Sequence, residues 1–554
     1  MLYRGTFVLL LFLLVSSFSL QHCDCGGVGR DNENALADGQ VGADRSSTGG
    51  AETTSGADQS ERTPGTENST SNEPSKTENS SSVEPSPSSD GGGNEIGPEL
   101  PQPDGFLPAQ PWFMTAGSNR NDFGMTIATR PGGGVYIGGS FGTSATWDKY
   151  STQGEHLTVA VVDHRGKIER AVIWKAGGDE ARLGMRAVLS DSNDNLYILA
   201  VFRGAVALSN TLTLTGKGKA QLLLAKYDAK GTLLWRSVAT NTVSWVEADS
   251  LVLGPDGDVY LAGHCEESLD WEGTALAPAV KGNRLFVARI QASSGKPLWL
   301  KGNAVGAFGS ESTMAPKVGV LNSSLFVLTR TQLQSAPFVP AWTKDKPFSQ
   351  PGTHVLVLDK QGTFLRMQTL ATSEAMMPTD MVMDAANQRW YVSADAPGPV
   401  SIKGTNYKRS SSLQRTFIWE MQEKGSSQPA TIGWVQQVEG LGQSLFEARS
   451  LGLALRKGGG LYAVGSFSRG TLALGPTLKL KTDRSVATVV AVISAQGVWS
   501  KALSIQGNTV EARGVTSQGD YLFLVGRYAR SLDWKGVEYP SRGDYDIFAM
   551  GLLY

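Results

Sequence analysis

Cysteine and histidine are scarce in this chain, with three Cys and five His among 554 residues. Cys23 and Cys25 both stand near the N-terminus, so no disulfide framework holds the remainder together, and a chain of this length builds a sufficient core without one. His264 stands beside Cys265, but neighbouring residues of a strand point to opposite faces, which argues against a metal pair there. No cofactor is expected.

The chain also lacks the usual signatures of catalysis and of nucleic-acid binding. No Ser-His-Asp, paired-carboxylate or phosphate-loop pattern stands out. Lys and Arg form no run of more than two, so no nucleic-acid partner is expected. Residues 191–195 loosely resemble a calcium loop, but they align with plain turns elsewhere and have no downstream bidentate Glu, which favours a turn.

What the chain does contain is a degenerate repeat from about residue 111 to the C-terminus. An aromatic anchor inside an apolar strand pattern recurs at intervals of 61, 63, 66, 65, 71 and 61 residues. Each copy predicts four short strands separated by Gly- and Pro-containing turns, and such repetition is typical of units that bury their apolar faces only against one another. The sequence therefore predicts an all-β, seven-bladed β-propeller of four-stranded antiparallel blades over residues 111–554. The anchors are Tyr136, Tyr197, Tyr260, Phe326, Tyr391, Tyr462 and Phe523.

The last strand of most copies carries a Trp, and the seventh copy lacks this strand. Residues 111–115, which include Trp112, match the missing strand and directly precede the first copy. An N-terminal strand that completes the last blade removes two open sheet edges and closes the ring. The predicted closing residues are Trp174, Trp235, Trp299, Leu365, Trp434 and Trp499.

Residues 1–22 are predicted to be a signal peptide, because a single charge, Arg4, precedes an apolar run too short for a membrane span. Residues 20–23 resemble a lipobox, in which the Cys is acylated, although that pattern wants Gly, Ala or Ser where His22 stands. The sequence thus predicts export and lipid attachment at Cys23, with the protein anchored in a membrane of the cell envelope. Cleavage near Ser19, giving a secreted or periplasmic protein, is the alternative.

Residues 23–110 are predicted to be a disordered linker, since Ser, Thr, Gly, Asn, Glu and Pro dominate and little apolar surface is available for burial. From residue 24 onwards, sixteen acidic residues of this segment outnumber four basic ones, whereas the whole chain has a net charge of −2. The repeat region therefore carries a positive balance. This asymmetry suits an anionic partner such as a polysaccharide or a lipid headgroup; a plainly solvated surface is the alternative.

The repeat resembles that of a known family. Residues 136–141, 260–273, 462–475 and 523–536 share a Tyr-Val-aliphatic strand followed by Gly and an aromatic residue, in two copies with Ser-Leu-Asp-Trp after them. This pattern is similar to that of the bacterial β-propeller repeat proteins of the SBBP type, which are often cell-envelope proteins of unknown role. The resemblance covers residues 111–554 and is weakest in copies four and five. It implies a fold and a compartment but no activity.

The favoured function is a non-enzymatic binding or scaffold module, a monomer tethered to the envelope, whose loops take a protein or polysaccharide partner. Loops on a rigid scaffold commonly carry recognition, and exposed aromatic side chains suit it. The divergent fourth and fifth copies supply the candidate binding surface. Its residues are Phe338, Trp342, Phe348 and Tyr407.

An enzyme with a site in the central channel, either quinoprotein-like or acting on glycans, is the alternative. First-strand charges such as Asp249, Arg449 and Arg513 could converge there. However, these charges belong to Glu-Ala-Asp and Glu-Ala-Arg triplets that recur in several copies, so they follow the repeat rather than breaking it. That recurrence favours the binding module.

Overall fold

The computed structural model describes residues 110–554 except for 217–218, 242–244, 277–282, 303–315, 332–351, 373–375, 397, 408–414, 426, 442–451 and 477. Residues 1–109, which hold the predicted signal peptide, Cys23 and all but the last residue of the predicted linker, lie outside the described residues, as do Phe338, Trp342 and Phe348. Every regular element within the described ranges is a β-strand. In that part of the chain no helix is long and apolar enough to span a bilayer.

The strands form antiparallel groups of four in chain order, after β1 (Trp112–Ala116). Blade 1 contains β2 (Asp122–Thr129), β3 (Val135–Phe141), the short pair β4 (Thr146–Trp147) and β5 (Tyr150–Ser151), β6 (His156–Val162) and the first part of β7 (Ile168–Ser190). Blade 2 contains the rest of β7, β8 (Leu196–Ala207), the short β9 (Thr213–Thr215), β10 (Ala220–Tyr227) and β11 (Leu233–Asn241). Blade 3 contains β12 (Val246–Leu253), β13 (Val259–Glu266), the short pair β14 (Asp270–Trp271) and β15 (Thr274–Ala275), β16 (Asn283–Ile290) and β17 (Pro297–Gly302).

The remaining four-stranded groups follow the same order. Blade 4 contains β18 (Lys317–Leu321), β19 (Ser324–Thr331), β20 (Gly352–Asp359) and β21 (Phe364–Thr372). Blade 5 contains β22 (Met377–Asp384), β23 (Arg389–Ala396), the short pair β24 (Val400–Ile402) and β25 (Thr405–Tyr407), β26 (Arg415–Gln422) and β27 (Thr431–Leu441). Blade 6 contains β28 (Gly452–Leu455), β29 (Leu461–Leu474), β30 (Leu478–Ile493) and the first part of β31 (Trp499–Gln518). Blade 7 contains the rest of β31, β32 (Tyr521–Trp534), the short β33 (Val537–Pro540) and β34 (Asp546–Leu553).

Burial explains why the middle strands of each blade are continuous apolar runs. All seven residues of β6 and all eight of β10 are buried, because both faces of a blade pack against neighbouring blades, as in other sheets covered on both sides. The fourth strand β11 instead alternates between exposed and partly buried residues in its first half. The core is therefore a set of apolar layers between blades; one such layer combines residues of blades 2 and 3.

The first strands of the blades form a closed ring. Each packs against the next, from β2 through β7, β12, β18, β22, β28 and β31, and β31 packs against β2 again. Strand β1 pairs antiparallel with β34, with Trp112 opposite Gly551 and Ala116 opposite Ile547. The predicted closing strand, called the clasp below, is thus confirmed, and the described residues form a β-propeller with seven four-stranded groups.

A recurring contact, called the latch below, joins the fourth strand of one blade to the next blade. The indole N–H of Trp235 donates to Ala292 O at 2.9 Å, and that of Trp299 donates to Lys360 O at 3.0 Å. A glycine in the same turn lies under each ring; a Cβ on Gly295 would come within 2.6 Å of the Trp235 ring. With φ of +75°, Gly295 also adopts a conformation that other residues avoid.

The pairing register of the third and fourth strands corrects part of the predicted set of closing residues. The residues at the latch position are Trp112, Trp235, Trp299, Trp434, Arg170, Arg366 and Lys501. Trp174 and Trp499 lie in the predicted strands but at other register positions, and Arg366 rather than Leu365 occupies the position in blade 4. Lys501 stands opposite blade 7, whose fourth strand is the clasp. Within the described residues, no turn joins the last two strands of that blade, because they are β34 and β1.

A second recurring contact involves the short strands after the second strand of a blade, which reach back to the preceding blade. Strand β14 pairs with β11, and Trp271 of β14 donates its indole N–H to Ser237 Oγ at 2.8 Å. Likewise β24 pairs with β21, and β29 with β27. This contact is the structural role of the Leu-Asp-Trp motif, which the sequence alone did not reveal.

Candidate functional site

The two faces of the ring differ in their connections. Because the strands alternate in direction, all first-to-second and third-to-fourth connections emerge on one face. Most of them are tight turns such as 130–134 and 163–167, and the connection between β26 and β27 is longer. The other connections emerge on the opposite face, named the long-connection face here. They include the described residues 142–155, 267–276 and 398–407, and the connection that leaves β19 at Thr331 also starts on this face. The long-connection face is the candidate functional face, since variable loops on a rigid scaffold commonly bind ligands.

Bulges in the first strands lie near this face. In blades 1, 2, 3, 5 and 7 the pairing of the first with the second strand skips at the same register position. A bulge re-aims the side chain of the extra residue. The residues concerned are Met125, Arg186, Asp249, Thr379 and Arg513. The predicted channel charges Asp249 and Arg513 are thus bulge residues, whereas Arg449 lies outside the described residues.

These bulge charges belong to separate ion pairs. The Arg186 guanidinium contacts Glu247 and Asp249, each at 3.4 Å. Arg513 instead contacts Glu511 at 2.9 Å. The structure therefore places Asp249 and Arg513 in different clusters of paired charges and does not join them in one constellation.

The cluster in blade 7 extends toward blade 1 through Arg527. Arg527 and Arg513 share Oε2 of Glu511, at 2.8 and 2.9 Å. Burial raises the pKa of Glu511, but hydrogen bonds from Arg527 and the two positive charges outweigh burial and hold the pKa below its usual range. The Arg527 guanidinium lies 4.3 Å from the ring centre of Tyr545 and 5.1 Å from that of Phe123, a cation–π stack.

His264 and Cys265 show no sign of a reactive pair. Both are buried. Burial lowers the pKa of His264 to about 4 and raises that of the Cys265 thiol to about 12, so both side chains are neutral at pH 7. Among the described residues, no group of three or more His, Cys, Asp or Glu is arranged to hold a metal ion. Residues 191–195 form a turn in which Asp191 accepts backbone hydrogen bonds from Asn193 and Asn195.

A cavity of about 780 Å³ opens on the long-connection face where the clasp meets blade 1. This cavity is named the clasp pocket. Three separate segments line it: the connection after the clasp, the connection after β3 and the connection before β34. The lining residues are Gly117, Ser118, Asn119, Arg120, Thr143, Ser144, Thr146 and Arg542.

Two buried carboxyl groups hold the loops of the clasp pocket in place. Asp122 accepts hydrogen bonds from the backbone N–H and the hydroxyl of Ser118 and, at 3.2 Å, from the backbone N–H of Gly142. Asp546 accepts a hydrogen bond from Arg542 N at 3.1 Å. Burial raises the pKa of Asp122 to about 6 in spite of these hydrogen bonds, and it also raises the pKa of Asp546.

Of the predicted binding surface, the described residues contain only Tyr407. It lies at the end of β25, partly buried, with its ring centre 5.0 Å from that of Phe417. The clasp pocket was missed by the sequence analysis, because its lining comes from segments more than 390 residues apart that only ring closure brings together. The one available signal was the predicted pairing of residues 111–115 with the last copy.

No protein-family model matches the chain, and a search of curated proteins finds no match. Among solved structures, a quinohemoprotein alcohol dehydrogenase from Comamonas testosteroni aligns over 79% of this chain and 76% of its own, with 11% identity and a TM-score of 0.34. A member of the duf4221 family from Bacteroides vulgatus aligns over 81% and 98%, with 8% identity and a TM-score of 0.29. The WD40 β-propeller domain of Doa1 aligns over 67% and 97%, with 10% identity and a TM-score of 0.24. Similarities at this level carry no argument about activity or ligand. The fold assignment stands on the strand pairings of this chain.

Proposed function

We propose that this protein is a non-enzymatic binding module of the cell envelope, tethered through Cys23 and the linker, whose long-connection face takes a protein or glycan partner. The observation that carries the proposal is the difference in connection length between the two faces of the ring. One face has mostly short turns, and the other has most of the long connections and the clasp pocket. The resemblance of the repeat to SBBP-type envelope proteins supports the compartment.

The bulge charges support binding over catalysis. Arg186 is engaged by Glu247 and Asp249, and Glu511 by two arginines. General acid–base catalysis needs a group whose pKa lies near the working pH and whose proton is available to a substrate. Glu511 has a lowered pKa and two cationic partners, so the proposal assigns it a structural role beside the binding face.

The test compares changes on the two faces of the purified full chain. A panel of envelope polysaccharides and envelope proteins is titrated against wild type, against a variant with residues 334–349 replaced by a short Gly-Ser linker, and against a control with four Gly-Ser residues inserted after Lys230. The Lys230 turn lies on the opposite face. We expect saturable binding without conversion of the ligand. The first change weakens binding of a partner that contacts the blade 4 connection, and the second change leaves all binding unaffected. Turnover of a bound ligand, or loss of binding only in the Lys230 variant, would contradict the proposal.

A further inference from the structure

We propose that the clasp pocket binds an acidic oligosaccharide, with a carboxylate or sulfate group of the sugar held between Arg120 and Arg542. This inference rests on the glycan form of the proposed function and assigns the ligand class and the site. It starts from the charge of the lining. Two guanidinium groups and no carboxylate line the cavity.

Within the described ranges, neither arginine has an ion-pair partner. The side chain of Arg542 donates only through Nη1, at 3.3 Å, to the carbonyls of Gly117 and Thr146. The one hydrogen bond of Arg120 is made by its backbone N–H, to Ser118 Oγ at 3.1 Å. Both guanidinium groups thus retain N–H donors directed at no carboxylate of the described chain. A planar fork of donors matches the two oxygens of a carboxylate or two of a sulfate.

The two buried carboxyl groups near the clasp pocket form no ion pair with these arginines, although the charge of Arg542 acts on Asp546. The oxygens of Asp122 and Asp546 accept hydrogen bonds from Ser118, Gly142 and the backbone of Arg542. These carboxyl groups therefore serve to hold the loops.

The rest of the lining indicates a polyhydroxylated ligand rather than an apolar one. Besides the arginines, it consists of glycine, serine, threonine and asparagine residues, with no aliphatic or aromatic residue. Hydroxyl and amide groups both donate and accept hydrogen bonds, as sugar hydroxyls do. The cavity has a volume of about 780 Å³ and is widely open to solvent, so it has room for several sugar units of a chain that extends beyond it and exceeds the needs of a lone inorganic anion.

The walls of the clasp pocket are fixed before a ligand arrives. Thr143 Oγ1 donates to Asn119 Oδ1 at 2.7 Å, which joins two of the three segments. Gly543 packs so closely that a Cβ there would lie 2.5 Å from Arg120 O, and a Cβ on Gly117 would lie 2.2 Å from the Asp546 carboxyl. Such close packing fixes the backbone that carries the two exposed arginines, which reduces the entropy that the loops lose on binding.

The experiment measures binding of the full chain to three probes by calorimetry: tetragalacturonate, sulfated maltotetraose and neutral maltotetraose. The first two separate a carboxylate from a sulfate as the recognised group. We expect at least one acidic probe to bind at least tenfold more tightly than the neutral one, with an affinity that falls as salt is raised. Arg120→Gln should weaken that binding about tenfold, since one charge-assisted contact is lost. Arg542→Gln should do the same.

Arg236→Gln is the matched control, because Arg236 is exposed on the fourth strand of blade 2; it should leave the affinity unchanged. Because Arg542 also donates to two carbonyls, its loss disturbs the loop as well as the charge. The unfolding temperature of Arg542→Gln is therefore measured, and its affinity is interpreted beside that of Arg120→Gln, whose side chain makes no such bond. Equal affinity for acidic and neutral probes, unchanged affinity in both pocket variants, or no binding of either acidic probe overturns the inference. A neutral glycan or envelope protein whose binding survives both changes overturns the clasp pocket assignment but leaves the proposed function standing.

Discussion

Replacing Trp112 by alanine should destabilise the propeller at its point of closure. The Trp112 side chain is 8% exposed, its ring centre lies 6.1 Å from that of Phe523, and its ring covers Gly551 of its own blade and Gly166 of blade 1. Truncating a buried Trp to Ala lowers the free energy of unfolding by about 3–5 kcal/mol. We expect Trp112→Ala to lose an amount in this range, measured by urea unfolding followed through Trp fluorescence and circular dichroism.

Alanine variants of two glycines distinguish the loss of the latch contact from backbone strain. Gly166 has φ of +83° and Gly154 has φ of +75°, so alanine is strained at both positions. Only at Gly166 would the added Cβ also displace the Trp112 ring, from which it would lie 2.7 Å; around Gly154 there is no atom within 4 Å. Gly166→Ala should therefore be more destabilising than Gly154→Ala. Equal effects would mean that the contact of the ring with blade 1 contributes nothing.

Removal of the whole clasp gives the sharper test. A chain beginning at residue 118 lacks β1 and exposes the edge of β34. A chain beginning at residue 105 keeps β1 and its pairing with β34. An unpaired edge strand promotes association between molecules, so the shorter chain should melt at a lower temperature and sediment as oligomers. If both chains melt at the same temperature and remain monomeric, the reasoning about ring closure is refuted.

Three further predictions follow from individual contacts. Because the pKa of Asp122 is raised from 3.8 to about 6, its contribution lowers the free energy of unfolding by up to about 3 kcal/mol as the pH rises from 4 to 7; this slope, measured by urea unfolding, should be smaller in Asp122→Asn. Arg366→Met should lower the free energy of unfolding by about 3–5 kcal/mol, because it leaves the buried carboxylate of Glu423, which lies 2.6 Å from the Arg366 guanidinium, without its partner. Adding Glu423→Gln should restore much of the stability. Limited proteolysis should remove the predicted linker and stop near residues 105–111; a resistant fragment that starts well before residue 90 would contradict the predicted disorder.

The repeat predicted the blades well because the signals involved are local. An aromatic anchor within an apolar run marks a strand buried on both faces, and the turns between strands carry their own residue preferences. The clasp was predictable for the same reason, since Trp112 repeats a strand pattern that the seventh copy lacks. The latch row was only partly predictable. The same register shift precedes the latch position in blades 1, 2, 3 and 6. The latch residue stands four positions after the turn glycine in each of them, so Arg170 and Lys501 occupy that position, and Trp174 and Trp499, at other distances from the glycine, do not.

The candidate site was less predictable because it depends on long-range neighbours. Asp249 and Arg513 were identified from their repeat positions, and the partner of Arg513, Glu511, belongs to the same triplet. The partner of Asp249, Arg186, follows only from which blades come together. Nothing in the order of residues shows that Arg120 faces the same cavity as Arg542.

The position of the clasp pocket links its ligand binding to the closure of the ring. Its walls come from residues 117–120, directly after β1, and from Arg542, directly before β34. The clasp, β1, pairs with β34. A molecule in which this pairing is lost therefore has no clasp pocket. A ligand that binds only the closed form stabilises it in proportion to its concentration. An acidic oligosaccharide that binds there should therefore raise the melting temperature of wild type more than that of the chain beginning at residue 118, and an equal rise in both would place its binding elsewhere on the propeller.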